Sequence, residues 1–466
     1  MDLLLTHGYF LQEDSKELQI MKPYAPLGLL YLSSHLKSKG YAVEVCDTTF
    51  RSRQELFSLL ETVTPSVLGI YANLMTRRNV VTILRRAKAL GWTVILGGPE
   101  PANYLPEYLD AGADAIVIGE GELTMEEVLQ SRHHGRLHDL QKIRGLAFRA
   151  PNGTIHQSPP RTLIRNLDTQ PWPDREAIDL RQYVDTWKAH HGSGSVSLIT
   201  ARGCAYHCRW CSHSVYGKTH RRRRPEAVVD EIEWLRHRYQ PDMLWIADDV
   251  FTIHHSWLFR YAEEMRRRSL NLPFECITRA DRVNEKVADV LAELQCFRVW
   301  IGSESGSQRI LDAMDRGVTV DEVRGAVRLC QERGIQAGMF LMWGYEGEEL
   351  PDIEATIEHV RQSNPDVFLT TVAYPINGTD YFQDVASTVV APEDWESSSD
   401  RDFRIRGRHS RRYYQFADQL LKNEVALDRL LQNGGPATTH DEMLTLQQRI
   451  REARSGLELS YAEVEA

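Results

Sequence analysis

Three cysteines, Cys204, Cys208 and Cys211, limit what this chain can be more than any other feature. They stand in the run Arg-Gly-Cys-Ala-Tyr-His-Cys-Arg-Trp-Cys-Ser from Arg202 to Ser212. The spacing C-x-x-x-C-x-x-C puts three thiolates on one short loop. The loop follows a β-branched, strand-like run at 195–200 and precedes a helical pattern. Thiolates are the usual holders of iron–sulfur clusters, which normally take four of them. Three leave one iron of a four-iron cluster open, and an open coordination site lets a metal centre bind and activate a substrate. A structural zinc site completed by His207 or His213 is the plainer alternative. Zinc sites commonly pair two C-x-x-C knuckles, and no second one occurs. A disulfide framework is disfavoured by cysteines that are sparse and odd in number, seven in 466 residues. Cys46, Cys276, Cys296 and Cys330 lie singly in apolar patterns and read as small buried hydrophobes.

Length predicts roughly three domains at about 150 residues each. With 42% hydrophobic and 26% charged residues, a full core and an ordinary polar surface are expected. A net charge of −10 argues against nucleic-acid binding, which needs a basic face. No apolar run approaches the length of a membrane span. The first residues, Met1 to His7, lack a basic segment and a cleavage site, so a secretory leader is not expected and the cytoplasm is the expected compartment.

Residues 1–142 alternate strand candidates (3–6, 42–46, 67–71, 93–96, 115–118) with amphipathic segments (27–38 and 77–90). That alternation predicts an α/β domain, a Rossmann-like doubly wound parallel sheet. Such sheets bind ligands at the carboxyl ends of their strands. Here those ends carry glycine turns, Gly97-Gly98-Pro-Glu100 and Gly119-Glu-Gly121-Glu122. A G-x-G-x-x-G fingerprint is absent, which removes support for a nicotinamide or flavin dinucleotide.

Residues 143–192 read as a hairpin turning at Asn152-Gly153, then a linker marked by Pro159, Pro160, Pro171 and Pro173. From 193 to 390 the alternation resumes, with strand candidates at 195–200, 243–247, 274–278, 297–301, 336–342 and 367–374. Six βα units predict a partial (β/α)6 barrel with its chemistry at the strands' carboxyl ends. Residues 391–466 open with a basic stretch, Arg401 to Arg412, and continue as a helical C-terminal extension. His220 to Arg224 is a second charge run. It reads either as a solvated face or as an arginine fork for a carboxylate or phosphate.

The cysteine motif in its strand–loop–helix setting resembles the radical S-adenosylmethionine (radical SAM) family. The first region, with Lys22-Pro-Tyr-Ala-Pro-Leu-Gly-Leu-Leu-Tyr-Leu32 and the two glycine turns, resembles the cobalamin-binding domain fused to many radical SAM proteins. The pattern from Cys211 to Arg223 resembles the branch containing anaerobic magnesium-protoporphyrin IX monomethyl ester cyclase and class B radical SAM methyltransferases. The resemblance implies three cofactors: a 4Fe-4S cluster on Cys204, Cys208 and Cys211, SAM on the open iron, and cobalamin over Gly97, Gly98, Gly119 and Gly121. It implies that Glu304, past the fourth barrel strand, accepts the SAM ribose diol, and that Arg279 meets the SAM carboxylate. Asp248 would lie near the SAM amine, or close a turn or cap a helix instead. Arg279 would otherwise pair with Asp281 or Glu304. The D-x-H-x-x-G motif that supplies a cobalt-ligating histidine elsewhere is absent, so cobalamin would bind without one. Tyr71, Asn73 and Met75 are the candidates beneath the cobalt.

The activity so implied is reductive cleavage of SAM to a 5′-deoxyadenosyl radical, hydrogen abstraction from an unactivated carbon, and methylation through methylcobalamin. An oxidative cyclase is the main alternative. A non-catalytic metal or cobalamin sensor, a radical SAM enzyme that has lost cobalamin, and a methylthiotransferase are also consistent with parts of the pattern. The last would need a second cluster in the first domain, where Cys46 is the sole cysteine. Expected partners are a small-molecule substrate, an anionic one among the options, and an electron donor such as flavodoxin or ferredoxin.

Overall fold

A computed structural model of the chain describes residues 1–133, 137–432 and 439–465. The chain divides into two compact units. One comprises Met1–Tyr206, Ser212–Asp248 and Glu393–Ser399; the other comprises His207–Cys211, Asp249–Pro392 and Asp400–Ala466.

The first unit is built on a seven-stranded sheet. Its strands are β1 (Leu3–His7), β2 (Val43–Cys46), β3 (Val67–Tyr71), β4 (Thr93–Gly97), β5 (Ala115–Val117), β6 (Leu146–Arg149) and β7 (Ile155–Gln157), in the order β2-β1-β3-β4-β5-β6-β7. The pairings among β1 to β5 are parallel, and β6 and β7 add on antiparallel. The hairpin at Asn152-Gly153 thus extends the first sheet instead of standing apart from it. The all-parallel part is covered on both faces, as crossover helices require. Leu4, Leu68, Ile70, Val94 and Leu96 pack to one side with Leu56, Leu60, Val80, Leu84 and Trp92. Leu3, Leu5, Val67, Ile95 and Val117 pack to the other with Leu29, Leu36, Met125 and Leu129. This period-two split within single strands fixes the register, because a slip of one residue would exchange the two faces.

The same unit carries β8 (Ser195–Leu198), the short antiparallel pair β9 (Ala201–Arg202) and β10 (Arg221–Arg222), and β11 (Met243–Ile246), which runs parallel to β8. In the second unit β12 (Phe274–Thr278), β13 (Cys296–Glu304), β14 (Gln336–Trp343) and β15 (Val367–Val372) are parallel neighbours in that order. Helices Pro225–Tyr239, His255–Arg267, Glu285–Glu293, Val320–Gln331 and Leu350–Ser363 alternate with these strands. β8 and β11 to β15 are the six strands of the predicted βα series. The carboxyl-terminal part is helical, with Arg411–Gln432 and Thr439–Ser460. Among the described residues no helix is long and apolar enough to cross a membrane.

At the carboxyl end of β13 the chain passes unusually close to the helix Leu350–Ser363. A Cβ at Gly306 would stand 2.5 Å from His359 Cβ and 2.6 Å from Thr356 Cα, and would overlap the Ala355 carbonyl oxygen. The Gly306 amide donates to Thr356 Oγ1 (2.9 Å) at this crossing. Gly306→Ala is therefore expected to destabilise the protein by about 1–3 kcal/mol through overpacking, measured as a lowered Tm. An unchanged Tm would show that the crossing can relax.

Candidate functional site

The cysteine loop leaves the first unit through β9 and returns through β10, and both ends are pinned by buried ion pairs. Arg202 and Arg221 face each other across the ribbon and share one carboxylate. Glu120 Oε1 accepts from Arg202 Nη1 (2.9 Å) and Arg221 Nη1 (2.9 Å), and Oε2 accepts from Arg221 Nη1 and from the Ile164 amide (both 2.8 Å). Glu122 holds the other side of Arg202 at 2.7 Å. Arg202 and Arg221 also lie over the Tyr216 ring, at 5.7 and 5.9 Å from its centroid. Gly203, at φ +83°, sits where a Cβ would overlap the Thr219 carbonyl oxygen, so the loop can close on itself only with glycine there.

The run of arginines continues the same work. Arg222 Nη2 donates to Asp248 (2.9 Å), Arg223 Nη1 to Glu231 (2.6 Å), and exposed Arg224 pairs with Asp168 at 3.1 Å. Glu231 also receives Arg175 at 2.9 Å. Each guanidinium of the run thus serves a carboxylate of this chain; Arg224 is also solvated, and Arg221 keeps Nε and Nη2 buried without a hydrogen-bond partner. Asp248, only 1% exposed, takes the Thr200 and Ala201 amides on Oδ1 (2.7 and 3.0 Å), and Thr200 Oγ1 and Arg222 on Oδ2. It closes the turn that joins β8 to β9. It does not cap the next helix, whose N-cap is His254.

Cys204 is half-buried, Cys208 buried and Cys211 exposed. Cys46, Cys276, Cys296 and Cys330 are buried, as their apolar settings predict. Among the described residues no group of three or more His, Cys, Asp or Glu side chains is gathered around a single-ion position. In the second unit, Cys208 Sγ receives two guanidiniums, Arg279 Nη1 at 3.8 Å and Arg316 Nη1 at 3.7 Å. The backbone around it is braced by Arg209, whose amide donates to Met314 O (3.1 Å), whose carbonyl accepts from the Tyr381 amide (2.8 Å), and whose guanidinium clasps Asp384.

Arg279 is 3% exposed and each nitrogen of its guanidinium group is engaged. Nε donates to Asp281 (2.9 Å), Nη2 to the Arg316 and Gly317 carbonyls (2.8 and 3.2 Å), and Nη1 to Cys208. Glu304 differs. β13 shifts register between Gly302 and Glu304, and Glu304 adopts φ +63°. A bulge of this kind re-aims a side chain, and positive φ is a strained conformation for a non-glycine residue. Gly302 makes the room, since a Cβ there would lie 2.5 Å from Arg316 Nη2 and 2.7 Å from Glu304 Oε1. Glu304 lies 3.6 Å from Arg316 Nε, yet that buried nitrogen has no hydrogen-bond partner. Burial pushes the Glu304 carboxyl above its usual range, while Arg316 and Arg279 pull it down. A buried carboxylate and a buried guanidinium nitrogen, both turned to one spot without a full hydrogen bond, suit a polar ligand.

In the loop beyond β14, Glu348 is buried and its carboxyl is pushed up to about 8 by burial. It accepts the Gly344 amide at 2.5 Å. After β15, Thr379 caps the helix Asp380–Val385 by accepting the Phe382 amide.

At the carboxyl edge of the first sheet the four glycines divide. Gly98, at φ +109°, would overlap the Ala72 carbonyl oxygen if it carried a Cβ, so the backbone alone demands it. Gly119 is at φ +83°. Gly97 and Gly121 have only Val117 and Leu32 near, at 3.9 Å or more, which leaves an open floor above them. Two residues just past Cys211 rest on these turns: Ser214 Oγ donates to Pro99 O (2.7 Å), and Val215 O lies 3.5 Å from a Cβ position on Gly119. Tyr71 ends β3 half-buried, its ring beside Gly98 and Gly28. The Asn73 side chain is taken up by its own turn, accepting the Met75 and Thr76 amides, and Met75 is exposed. His7, at the carboxyl end of β1, is already engaged. Its Nδ1 accepts the Tyr9 amide (3.2 Å) and lies 3.1 Å from Thr48 Oγ1, and its Nε2 meets Asp47 Oδ1 at 2.9 Å.

Comparison with known proteins decides the family. The radical SAM superfamily profile matches residues 198–360, and the B12 binding domain profile matches residues 20–129. The chain is a radical SAM enzyme with a B12-binding domain. An uncharacterized methyltransferase of Pyrococcus horikoshii is 29% identical over 82% of this chain and 83% of its own. The anaerobic magnesium-protoporphyrin IX monomethyl ester cyclase of Rubrivivax gelatinosus is 26% identical over 80% of this chain and 68% of its own. Among solved structures, the radical SAM methyltransferase TsrM of Kitasatospora setae, with cobalamin and a 4Fe-4S cluster bound, shares the fold at a TM-score of 0.68. Its identity is 22%, over 84% of this chain and 76% of that one. The cofactors of this radical SAM enzyme are accordingly a 4Fe-4S cluster, SAM and cobalamin.

Two residues that matter here had no sequence signal. Arg316 and Glu120 stand in turns with no local pattern to mark them, because their partners Cys208 and Arg221 lie 108 and 101 residues away. Glu120→Gln removes the charge shared by two buried guanidiniums and should cost about 3–5 kcal/mol, read as a lowered Tm and faster amide exchange in β9 and β10. Glu176→Gln, which breaks the exposed pair with Arg238, should cost no more than about 1 kcal/mol. Equal effects of the two changes would contradict the pinning of the loop.

Proposed function

We propose that this enzyme methylates an unactivated carbon of a small molecule, anionic molecules included, using SAM and cobalamin. The observation that carries the reading is the bulged end of β13, where Glu304 and Arg316 converge in the unit that also holds Cys208. Cys204, Cys208 and Cys211 would hold the cluster, leaving one iron open for the amino-carboxylate of SAM. Glu304 would accept the ribose diol of SAM. Arg279, fully engaged by the chain, would act on the cluster through Cys208 rather than by gripping the SAM carboxylate directly. Asp248 would fix the turn that leads into the cysteine loop and reach SAM only through that turn. Gly97 and Gly121 would leave room for a corrin, while Gly98 and Gly119 set the turns that flank it. Tyr71 would lie under the cobalt, since the His7 ring is already engaged. When bound, the cofactors supply radical hydrogen abstraction and methyl transfer; the protein positions them and excludes water. The bounds implied are 1–142 for the cobalamin domain, 143–192 for the hairpin and linker, 193–390 for the barrel and 391–466 for the helical extension. A flavodoxin or ferredoxin in the cytoplasm would supply the electron.

An oxidative cyclase is the second reading, favoured by the 26% identity with the Rubrivivax enzyme. The two part on one observable, a methyl group carried from SAM to product.

Anaerobically reconstituted protein should bind about four irons and consume SAM, and alanine at Cys204, Cys208 and Cys211 together should end both. SAM consumption that survives the triple change would refute the assignment. Glu304→Gln should weaken SAM binding by about 1–3 kcal/mol at normal iron content, measured by calorimetry; unchanged affinity would remove Glu304 from the site. Gly121→Val should cost corrinoid retention with iron unchanged, and full retention would move the corrin elsewhere. Gly98→Val is unsuited to this purpose, because it collides with Ala72 whether or not a corrin is bound.

A further inference from the structure

Arg316 is unusual in what one buried guanidinium touches. Nη1 reaches Cys208 Sγ (3.7 Å), Nη2 donates to Gly302 O (2.8 Å), and Nε lies 3.6 Å from Glu304 Oε1. Gly302 lacks the side chain that would displace it. Arg279 donates to the same sulfur and to the Arg316 carbonyl, so the two cations are tied to one another by backbone as well as by their common acceptor. Neither is solvated, and interactions between charges in such a place are screened far less than at a surface.

We propose that Arg316 is a positioning residue that raises the reduction potential of the cluster and makes it respond to the state of Glu304. This rests on the reading of Cys208 as a cluster ligand. One-electron reduction adds one negative charge to the cluster and its thiolates, with the electron supplied by a low-potential one-electron donor and no proton taken up. N–H donors to ligand sulfur and nearby positive charge favour the reduced form. Arg316 contributes both. Glu304 offsets part of that charge, so a ligand that engages Glu304 changes what Arg316 offers to the sulfur. The chain thereby links occupancy of the Glu304 position to the ease of reduction.

The test is an EPR-monitored potentiometric titration of the full chain, reconstituted anaerobically and reduced with titanium(III) citrate. Arg316→Gln should lower the equilibrium constant for reduction at least tenfold, which is 59 mV for a one-electron couple. Arg316→Lys keeps the charge but cannot fork between sulfur and carbonyl, and should fall between the two. Glu304→Gln should move the midpoint the opposite way, upward. Opposite shifts separate this role from simple loosening, which would move both variants alike. If Arg316→Gln loses iron, the lysine variant and Glu304→Gln decide. Midpoints equal to the parent's in iron-replete variants would overturn the proposal. A parent chain that binds no cluster would overturn the reading beneath it, and iron content distinguishes the two failures.

Discussion

One carboxylate, Glu120, holds both ends of the cysteine loop. It bridges Arg202 on the outgoing strand and Arg221 on the returning one, so the loop's entry and exit are set by a single side chain from the first sheet. A buried ion pair of this sort adds little net stability, because desolvation offsets most of the Coulombic gain. Its value is in what it forbids. With either guanidinium unpaired the cost is several kcal/mol, so alternative placements of the ribbon are excluded. Asp248, Glu122 and Glu231 repeat the device around the same ribbon. A short loop with few apolar residues to bury cannot be held at fixed places by a hydrophobic core alone. A ring of charge pairs supplies the missing constraint.

The second unit makes the opposite choice at the end of β13. There the polar groups are left unsatisfied: a carboxylate on a bulge at positive φ, and an arginine nitrogen without a partner. Such a site is costly to maintain, and the close packing of Gly306 on the helix Leu350–Ser363 helps to hold it. The contrast is between carboxylates: Glu120 and Asp248 at the loop's base are filled with donors, while Glu304 has only Arg316 at 3.6 Å. It also reassigns residues that look alike in sequence. Asp248 and Arg279 are filled by bonds to the chain itself, and Glu304 is not, which is what suits it to a ligand.

Much of this was readable from the chain itself, for physical reasons. Strands such as 67–71 and 274–278 are short apolar runs between polar punctuation, and the structure returns both at those bounds. The helix Leu27–Ser38 follows from its apolar spacing. The cysteine triad is visible because spacing on a single loop is a local property. The arginine run was not readable, because its meaning lies in carboxylates far away in sequence; Glu120 is 101 residues from Arg221. Arg316 was hidden for the same reason. The glycines at strand ends were readable as turns, but only the backbone shows that Gly98 answers to Ala72 while Gly121 answers to nothing in the chain.

The central claim is that three thiolates leave one iron open to SAM. Electron–nuclear double resonance on the reduced protein, mixed with SAM labelled with 15N at the amine and 17O at the carboxylate, tests it most directly. The account predicts isotropic hyperfine coupling of both nuclei to the cluster spin, larger than through-space dipolar coupling alone gives. A reduced cluster whose spectrum shows no coupling to either label would contradict it.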